Sequence, residues 1–203
     1  MITFLRLLSD EDKGGGLAAA CNAVRSGNAE ARVFEVEPSS FDAVPGKPFA
    51  YWVSEEVRQT FKKLPAFEGD GRTARVGLQT GDDFRFVRCR WETTGDGWKT
   101  HAKGGVYSPF YADIYLLVNW AEDGAEIQKF RDPATGKLNS RPQNTDFYFR
   151  PGLTWPKRGW NFSAQAVAES TIFSSGGMMA FCPVPTLVLT LSIFNSQPFN
   201  QLI

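Results

Sequence analysis

The chain has 203 residues, of which 42% are hydrophobic and 22% are charged, a balance that permits a hydrophobic core and excludes a disordered chain. Its length suits one large domain, or one domain together with part of a second. Lys and Arg equal Asp and Glu at 22 each, so the net charge is zero. A neutral total says little about nucleic-acid binding, whereas a local basic surface says more.

The cysteines and the apolar segments indicate the compartment. Three cysteines, with no Cys-x-x-Cys motif, favour a reducing setting over a disulfide scaffold. Acids at positions 10–12 interrupt any apolar run after Met1, so we expect no signal peptide. The apolar stretch 186–194 is too short to cross a bilayer. We therefore expect a cytoplasmic protein with no membrane partner.

Residues 1–71 are predicted to form an N-terminal α/β segment that leads into a second domain. Ser9 precedes three acids, which favours a helix over 10–26. Residues 31–37 predict a strand. A Ser-Glu-Glu signature predicts another helix over 54–64, which a proline ends.

Residues 72–203 are predicted to form a β-rich domain. The stretch 84–91 mixes apolar and arginine side chains and predicts a strand with a basic edge or face. Gly95-Asp96-Gly97 is typical of a hairpin turn, and 111–120 is a strong strand candidate.

The stretch 147–158 combines aromatic, rigid and cationic residues. Three consecutive aromatics predict a strand that ends at Arg150, and Pro151-Gly152 predicts a turn. Trp155-Pro156 predicts a second extended step, followed at once by Lys157 and Arg158. Such a loop suits a polyanion with stackable rings, such as a nucleic acid. A buried β corner with two solvated cations is the alternative.

The C-terminal part is predicted to add a strand and a helix. Residues 171–173 indicate a strand followed by a tight turn over 174–177. A buried helix is predicted over 187–194, within a helical stretch of 186–195. The predicted fold class is therefore α+β, as a β-rich mixed sheet or partial barrel with a few peripheral helices.

Two blocks of the chain are basic. Residues 72–103 carry seven Lys or Arg against four Asp or Glu, and residues 141–158 carry four against one. Each block therefore has a local charge of +3. Ordinary surface scatter of charge is the alternative to a shared basic face.

The catalytic motifs that the sequence contains are incomplete. The Phe-Glu-Gly-Asp-Gly run at 67–71 matches glycine patterns of methyl-donor and dinucleotide sites but lacks the required flanking strand and helix. No Pro-Pro dipeptide occurs, so the Asn-Pro-Pro-Tyr tetrapeptide for amine methylation is missing. His101, the single histidine, is predicted to lie in a surface loop. Asp82 and Asp83 suit either a turn or a metal.

Ten short stretches, taken in order, resemble one family; they lie at 45–52, 77–83, 86–88, 102–105, 107–109, 118–120, 123–124, 141–144, 148–156 and 195–199. The resemblance is to the part downstream of the catalytic domain in large adenine-specific DNA methyltransferases. These enzymes belong to type IIS-like restriction–modification and related phage-defence systems. The resemblance implies a DNA target-recognition region for double-stranded DNA, with S-adenosylmethionine held in the parent enzyme's catalytic domain, which this chain lacks.

We therefore expect a DNA-binding fragment without catalytic residues, metal ligands or a cofactor of its own. The expected contacts to phosphates or bases are Arg85, Arg88, Lys103, Lys157 and Arg158, with Gly104 and Gly105 allowing close approach of the backbone. The residues expected to position the loops are Thr80, Tyr148, Arg150 and Trp155. Two alternatives remain open: a small metal-dependent hydrolase or nuclease that uses Asp82 or Asp83, and a carbohydrate-binding β module suggested by six tryptophans.

Overall fold

The computed structural model describes residues 1–159 and 161–202. It divides into two compact units, Met1–Ala66 and Phe67–Ile203. The second unit contains both basic blocks.

The described first unit contains a two-stranded sheet, two α-helices and a 3-10 helix at Pro38–Ala43. Strands β1 (Ile2–Leu5) and β2 (Val33–Val36) pair antiparallel. Helix α1 (Lys13–Ser26) begins after Asp12, whose side chain accepts from the Gly15 amide at 3.0 Å. This cap displaces the predicted start at residue 10. Helix α2 (Glu55–Lys63) follows the predicted Ser54 cap.

The second unit contains two four-stranded sheets within the described residues. The strands of one sheet are β3 (Thr73–Arg75), β7 (Gly152–Pro156), β8 (Gln165–Val167) and β10 (Gly177–Phe181). They pair antiparallel in the order β3-β10-β7-β8. The strands of the other sheet are β4 (Val87–Cys89), β5 (Trp98–Ala102), β6 (Leu116–Asn119) and β9 (Thr171–Phe173).

The second of these sheets is mixed. Its order is β4-β6-β5-β9, and β5 runs parallel to β9 while the other pairs are antiparallel. None of the sheets formed by the described residues closes into a barrel. The predicted α+β class, β-rich with few helices, is confirmed.

Short helices lie around the two sheets of the second unit. They are α3 (Asp83–Phe86), α4 (Ala121–Lys129), α5 (Leu187–Phe194) and α6 (Gln197–Leu202). Residues 122–124 inside α4 have left-handed backbone angles, so this segment contains a kink. Within the described ranges, no helix is both long enough and apolar enough to cross a membrane.

Two clusters of apolar side chains form the core of the second unit. The larger contains Phe86, Trp120, Tyr148, Ile172 and Phe173 among its buried members. In the smaller cluster, buried Leu153, Ala164, Ala180 and Phe194 pack against partly buried neighbours that include Trp155.

The predicted strand over the aromatics 147–149 is wrong. Thr145–Phe147 is a 3-10 helix, Phe149 has a φ of +63°, and the strand begins only at Gly152. Tyr148 is buried against Trp120, with ring centroids 5.3 Å apart, so these aromatics bend the chain into the core. The predicted turn at Pro151-Gly152 is also wrong, because Gly152 lies inside β7.

The predicted strand over 84–91 is wrong in its first half. Asp82 accepts a hydrogen bond from the Arg85 amide at 3.0 Å and caps α3, so the strand begins only at Val87. The turn predicted at 95–97 is present, since the Trp98 amide donates to the Gly95 carbonyl at 3.2 Å, but it does not close a hairpin, because β6 lies between β4 and β5 in the sheet. Within the stretch 111–120, which was predicted to be a strand, the strand observed is β6 (Leu116–Asn119).

The C-terminal predictions are mixed. A strand over 171–173 followed by a tight turn is confirmed, and α5 agrees with the predicted helix to within one residue at each end. Its predicted burial is wrong, because Val188 and Leu189 are 74% and 62% exposed.

Candidate nucleic-acid interface

One turn brings the ends of strands from both large sheets together. Residues 174–176 link β9, which pairs with β5, to β10, which pairs with β7. The Ser174 amide donates to the Ala102 carbonyl at 2.9 Å, and the Lys157 amide donates to the Gly176 carbonyl at 3.0 Å. The residues that follow β5 and β7 therefore meet at this turn, although they are 54 positions apart in sequence when counted from Lys103 to Lys157.

The meeting point is a shallow cleft of about 380 Å³ that we call the basic cleft; it is lined by Lys103, Gly105, Pro156, Lys157, Arg158, Ser175 and Gly176. Lys157 and Arg158 are exposed, as a phosphate contact requires. Residues from the C-terminal end of each basic block line this cleft. Four of the seven predicted DNA-contacting residues thus line one surface.

Gly104 lies where protein segments pack closely together. It is buried, with a φ of +91°, and a Cβ there would meet the Gly176 carbonyl oxygen at 2.5 Å. Its lack of a side chain is therefore required for packing between protein segments. Gly105 is exposed, and a Cβ there would have no heavy atom within 4 Å.

Lys103 is held by a carboxylate. Its Nζ donates to Asp83 Oδ2, and Thr80 Oγ1 donates to Asp83 Oδ1. Burial acts to raise the pKa of Asp83, but the hydrogen bonds from Lys103 and Thr80 outweigh it and lower that pKa. Thr80 is buried and fixes Asp83, which in turn orients Lys103.

Arg85 and Arg88 lie outside the basic cleft. The Arg85 guanidinium donates to Glu126 at 2.7 Å and lies over the Phe130 ring. Arg88 donates to the carbonyl of Val87 at 2.7 Å and also to that of Phe84. Arg85 lies in helix α3 and Arg88 lies in strand β4, so they do not form the single basic strand face that their spacing suggested.

The three remaining loop-positioning candidates have distinct surroundings. Tyr148 is buried in the larger core cluster, where burial raises its pKa. Arg150 is exposed and lies over the Phe147 ring at 5.0 Å. Trp155 is half-buried, 5.7 Å from the Phe162 ring and 6.3 Å from the Phe194 ring between centroids.

A second, larger cavity adjoins the basic cleft, because Lys103 and Gly105 line both. This cavity, which we call the aromatic-rimmed cavity, has a volume of about 570 Å³. Its lining includes His101, Thr154 and Gln165, together with the exposed aromatics Phe84 and Tyr115.

The predicted surface position of His101 is wrong. It lies in β5 and is fully buried, and burial lowers its pKa to about 4 despite a contact of 3.0 Å between Nδ1 and the Ile172 carbonyl oxygen. Since that oxygen only accepts, Nδ1 carries the proton of a neutral ring, and Nε2 is left as an acceptor. Nε2 has no hydrogen-bond partner among the described residues.

Sequence reasoning missed the roles of the turn at 174–176 and of His101. Ser174 Oγ accepts from the amides of Gly176 and Gly177 at 3.0 Å each, and this Ser-x-Gly-Gly pattern was a usable turn signal. The sequence pattern does not indicate which strands would end beside this turn. For His101, the apolar Ala102 beside it was too weak a signal of burial.

The carboxylates considered for a metal site have structural partners. Asp82 caps α3, and both oxygens of Asp83 accept hydrogen bonds. In the part of the chain that the structure describes, no group of three or more His, Cys, Asp or Glu residues is arranged to hold a metal ion.

Comparison with known proteins shows that the chain is similar in sequence to segments of two methyltransferases. It is 27% identical over 212 aligned positions to the adenine-specific methyltransferase PglX of Lacticaseibacillus casei (strain Zhang), an alignment that covers 96% of this chain. It is 31% identical over 156 positions to the adenine-specific methyltransferase BrxX of Escherichia coli O9:H4 (strain HS), covering 71% of this chain. No family model matches the chain.

The chain spans only a small part of these relatives, 18% of the first and 12% of the second. It is therefore similar to a segment of adenine-specific methyltransferases, which agrees with the family resemblance. The aligned region includes most of the chain in the first comparison, so the similarity is not confined to one motif.

Proposed function

We propose that this chain is a target-recognition part of an adenine-specific DNA methyltransferase and that it binds double-stranded DNA through the basic cleft. The observation that carries the proposal is the convergence of Lys103, Lys157 and Arg158 on the turn at 174–176. The similarity to segments of two methyltransferases supports the choice of DNA as the polyanion.

Within the cleft, the three cations have different tasks. Lys157 and Arg158 are exposed and enter no ion pair within the described residues, so both are available to phosphates. Arginine also matches the paired acceptors of guanine, whereas lysine acts chiefly as a point charge on phosphate. Lys103 would have to leave Asp83 before it contacts DNA.

Arg85 and Arg88 would contribute at a second stage. Arg85 is engaged with Glu126, and Arg88 with backbone carbonyls. A DNA phosphate would compete with these partners, so we assign them a smaller share of the affinity than Lys157 and Arg158.

Catalysis belongs, on this proposal, to another part of the parent enzyme that binds S-adenosylmethionine. The exposed apolar side chains of α5, Val188, Leu189 and Ile193, offer a surface for docking that catalytic domain. We expect the chain alone to transfer no methyl group from labelled S-adenosylmethionine to DNA. Transfer by the isolated chain would contradict this division of roles.

Selection from a pool of randomised duplexes tests the recognition role. We expect the wild-type chain to enrich a defined motif, and a Lys157→Ala/Arg158→Ala variant to lose the enrichment. Lys62→Ala/Lys63→Ala removes the same charge from exposed positions in α2 and serves as the matched control. Binding without any enriched motif would contradict target recognition, and no binding would contradict DNA as the ligand.

A further inference from the structure

Two edge strands of the second unit have outward backbone groups capped by side chains. In β4, the Cys89 amide donates to Glu92 at 2.6 Å. In β3, the Ala74 amide donates to Glu68 at 2.8 Å, and the Ala74 carbonyl accepts from Arg75 at 3.0 Å. Unpaired amides and carbonyls at a sheet edge invite pairing with another strand, so these caps protect edges that stay exposed.

The other two edge strands of that unit, β8 and β9, are covered by main chain. The Ala166 amide of β8 donates to the Phe110 carbonyl at 3.0 Å. The Leu78 amide donates to the Phe173 carbonyl of β9 at 2.9 Å. Both large sheets therefore have edges that are already capped or covered.

The two-stranded sheet of the first unit lacks such protection. The Arg6 amide donates to the Arg32 carbonyl at 2.8 Å, which extends the β1–β2 register by one pair. Hydrogen-bonded pairs alternate along an antiparallel ladder, so Thr3 and Glu35, which face each other, are a pair whose amides and carbonyls point outward. Within the described residues, these outward groups have no hydrogen-bond partner, and both residues are exposed.

The outer edge of β2 also borders a shallow cleft of about 500 Å³ beside α1. Val24 of α1 lines this cleft together with Val33 and Glu35 of β2. Val24 is 41% exposed, and Leu17, two turns earlier on the same face of α1, is 45% exposed. A strand added beside β2 would therefore gain apolar contacts as well as backbone hydrogen bonds.

We infer that the outer edge of β2 pairs with an extended segment of the parent methyltransferase that lies outside residues 1–203. A two-stranded sheet alone is marginally stable in water, and this one lacks the edge caps that the second unit has. The chain spans only 18% and 12% of its two relatives, so most of such an enzyme is available to supply the strand. The inference depends on the chain being a segment of a longer enzyme and not on DNA binding.

The charges at this edge indicate the chemistry of the added strand. Glu35 enters no ion pair within the described residues, and Glu30 also lines the cleft. Residues directly opposite each other in paired strands share a face, so we expect Lys or Arg opposite Glu35 and an apolar residue opposite Val33. Pairing of two copies of this chain would instead bring the acids of both copies to one edge, which is unfavourable.

Amide hydrogen exchange of this chain tests the inference with peptide probes. The probes are overlapping peptides of about 15 residues from PglX and BrxX, longer than an ordinary strand, taken from outside the segments that align with this chain. Peptides from inside those segments are the matched control. We expect at least one outside peptide to slow exchange of the Glu35 amide about tenfold or more without slowing that of Cys89.

Three results would overturn the inference. No outside peptide would protect the Glu35 amide, or the control peptides would protect it equally. Protection that rises with the concentration of the chain alone would show that a second copy occupies the edge.

Proline substitutions identify which edge is used. Glu35→Pro removes an outward amide from β2, and Thr3→Pro removes the facing amide from the opposite edge, on β1; neither amide serves the β1–β2 ladder. We expect Glu35→Pro to abolish peptide binding and Thr3→Pro to retain it, with both proteins melting like the parent. Equal binding by the two variants would contradict pairing at β2.

N-methylated peptides test the backbone pairing on the unaltered chain, so this result does not depend on how the proline variants fold. A binding peptide methylated at alternate amides in one frame should lose its affinity, and methylation in the other frame should leave it, because only one set of amides faces β2. Equal effects of the two frames would contradict strand addition. Peptide protection without duplex binding would contradict only the proposed function, and duplex binding without peptide protection would contradict only this inference.

Discussion

Gly104 and Gly176 approach so closely that a Cβ on Gly104 would lie 2.5 Å from the Gly176 carbonyl oxygen. The same Cβ would lie 3.1 Å from Pro156 Cα, so three segments that build the basic cleft meet at Gly104. The geometry of the cleft therefore depends on a residue without a side chain at this position.

Gly104→Ala is expected to destabilise the protein by at least about 2 kcal/mol, because it combines a left-handed backbone with a clash against backbone atoms. Gly105→Ala also places a side chain on a left-handed backbone, but its Cβ would lie in open space and cause no clash. It should therefore cost about 1 kcal/mol of the free energy of unfolding. Urea unfolding of both variants measures the difference. Equal losses would show that the contact at Gly104 does not constrain the cleft.

Asp83 is expected to restrain Lys103. Asp83→Asn removes the carboxylate that holds the Lys103 ammonium, so it should strengthen DNA binding and steepen the log–log salt slope by about 0.9. Asp42→Asn, which releases Lys47 in the other unit, is the matched control because it makes the same change in net charge. Titration of a duplex at several salt concentrations compares them. If the two variants bind alike, Lys103 does not act at the cleft.

Substitution of Trp155 should lower the stability of the protein, whereas substitution of the cations that follow it should lower its affinity for DNA. Trp155→Ala removes a half-buried ring from the smaller core cluster and should cost about 3 kcal/mol of the free energy of unfolding. Lys157→Ala and Arg158→Ala remove exposed cations and should each cost under about 0.5 kcal/mol while weakening DNA binding. Thermal melting and duplex titration test the pair. A Trp155→Ala protein that melts like the parent but loses DNA would make Trp155 a stacking residue.

His101 is expected to make stability depend on pH. Its pKa is about 4 in the folded protein against 6.5 ordinarily, so the unfolded chain binds more protons between these values. The free energy of unfolding should therefore fall as the pH drops from about 6.5 towards 4, by a few kcal/mol in total. His101→Asn preserves a donor for the Ile172 carbonyl and should flatten this dependence over pH 5–7. An unchanged slope in the variant would mean that His101 is not buried as a neutral ring.

The predictability of the elements followed the strength of their local signals. Helices α1, α2 and α5 carried caps or continuous apolar runs, and β9 carried a short β-branched and aromatic run before a tight turn. The run at 147–149 failed because Tyr148 is buried between the rings of Trp120 and Phe173, a tertiary contact that overrides strand propensity.

The site was predictable in its parts but not in its assembly. Lys157 and Arg158 were identified from composition, and the structure places them beside Lys103. Their meeting depends on the parallel pairing of β5 with β9, which joins distant segments and has no local sequence signal. Arg85 was wrongly placed on a strand because Asp82 was interpreted as part of a turn or as a metal ligand and not as a helix cap.

The salt dependence of duplex binding tests the central claim most directly. Affinity should fall with a log–log slope of about −0.9 for each phosphate neutralised, and Lys157→Ala/Arg158→Ala should reduce the magnitude of the slope by about 1.8. Lys62→Ala/Lys63→Ala should retain the parent slope, and all three proteins should melt at the same temperature. A parent affinity that does not change with salt, or equal slopes for the two double variants, would contradict DNA binding at the basic cleft.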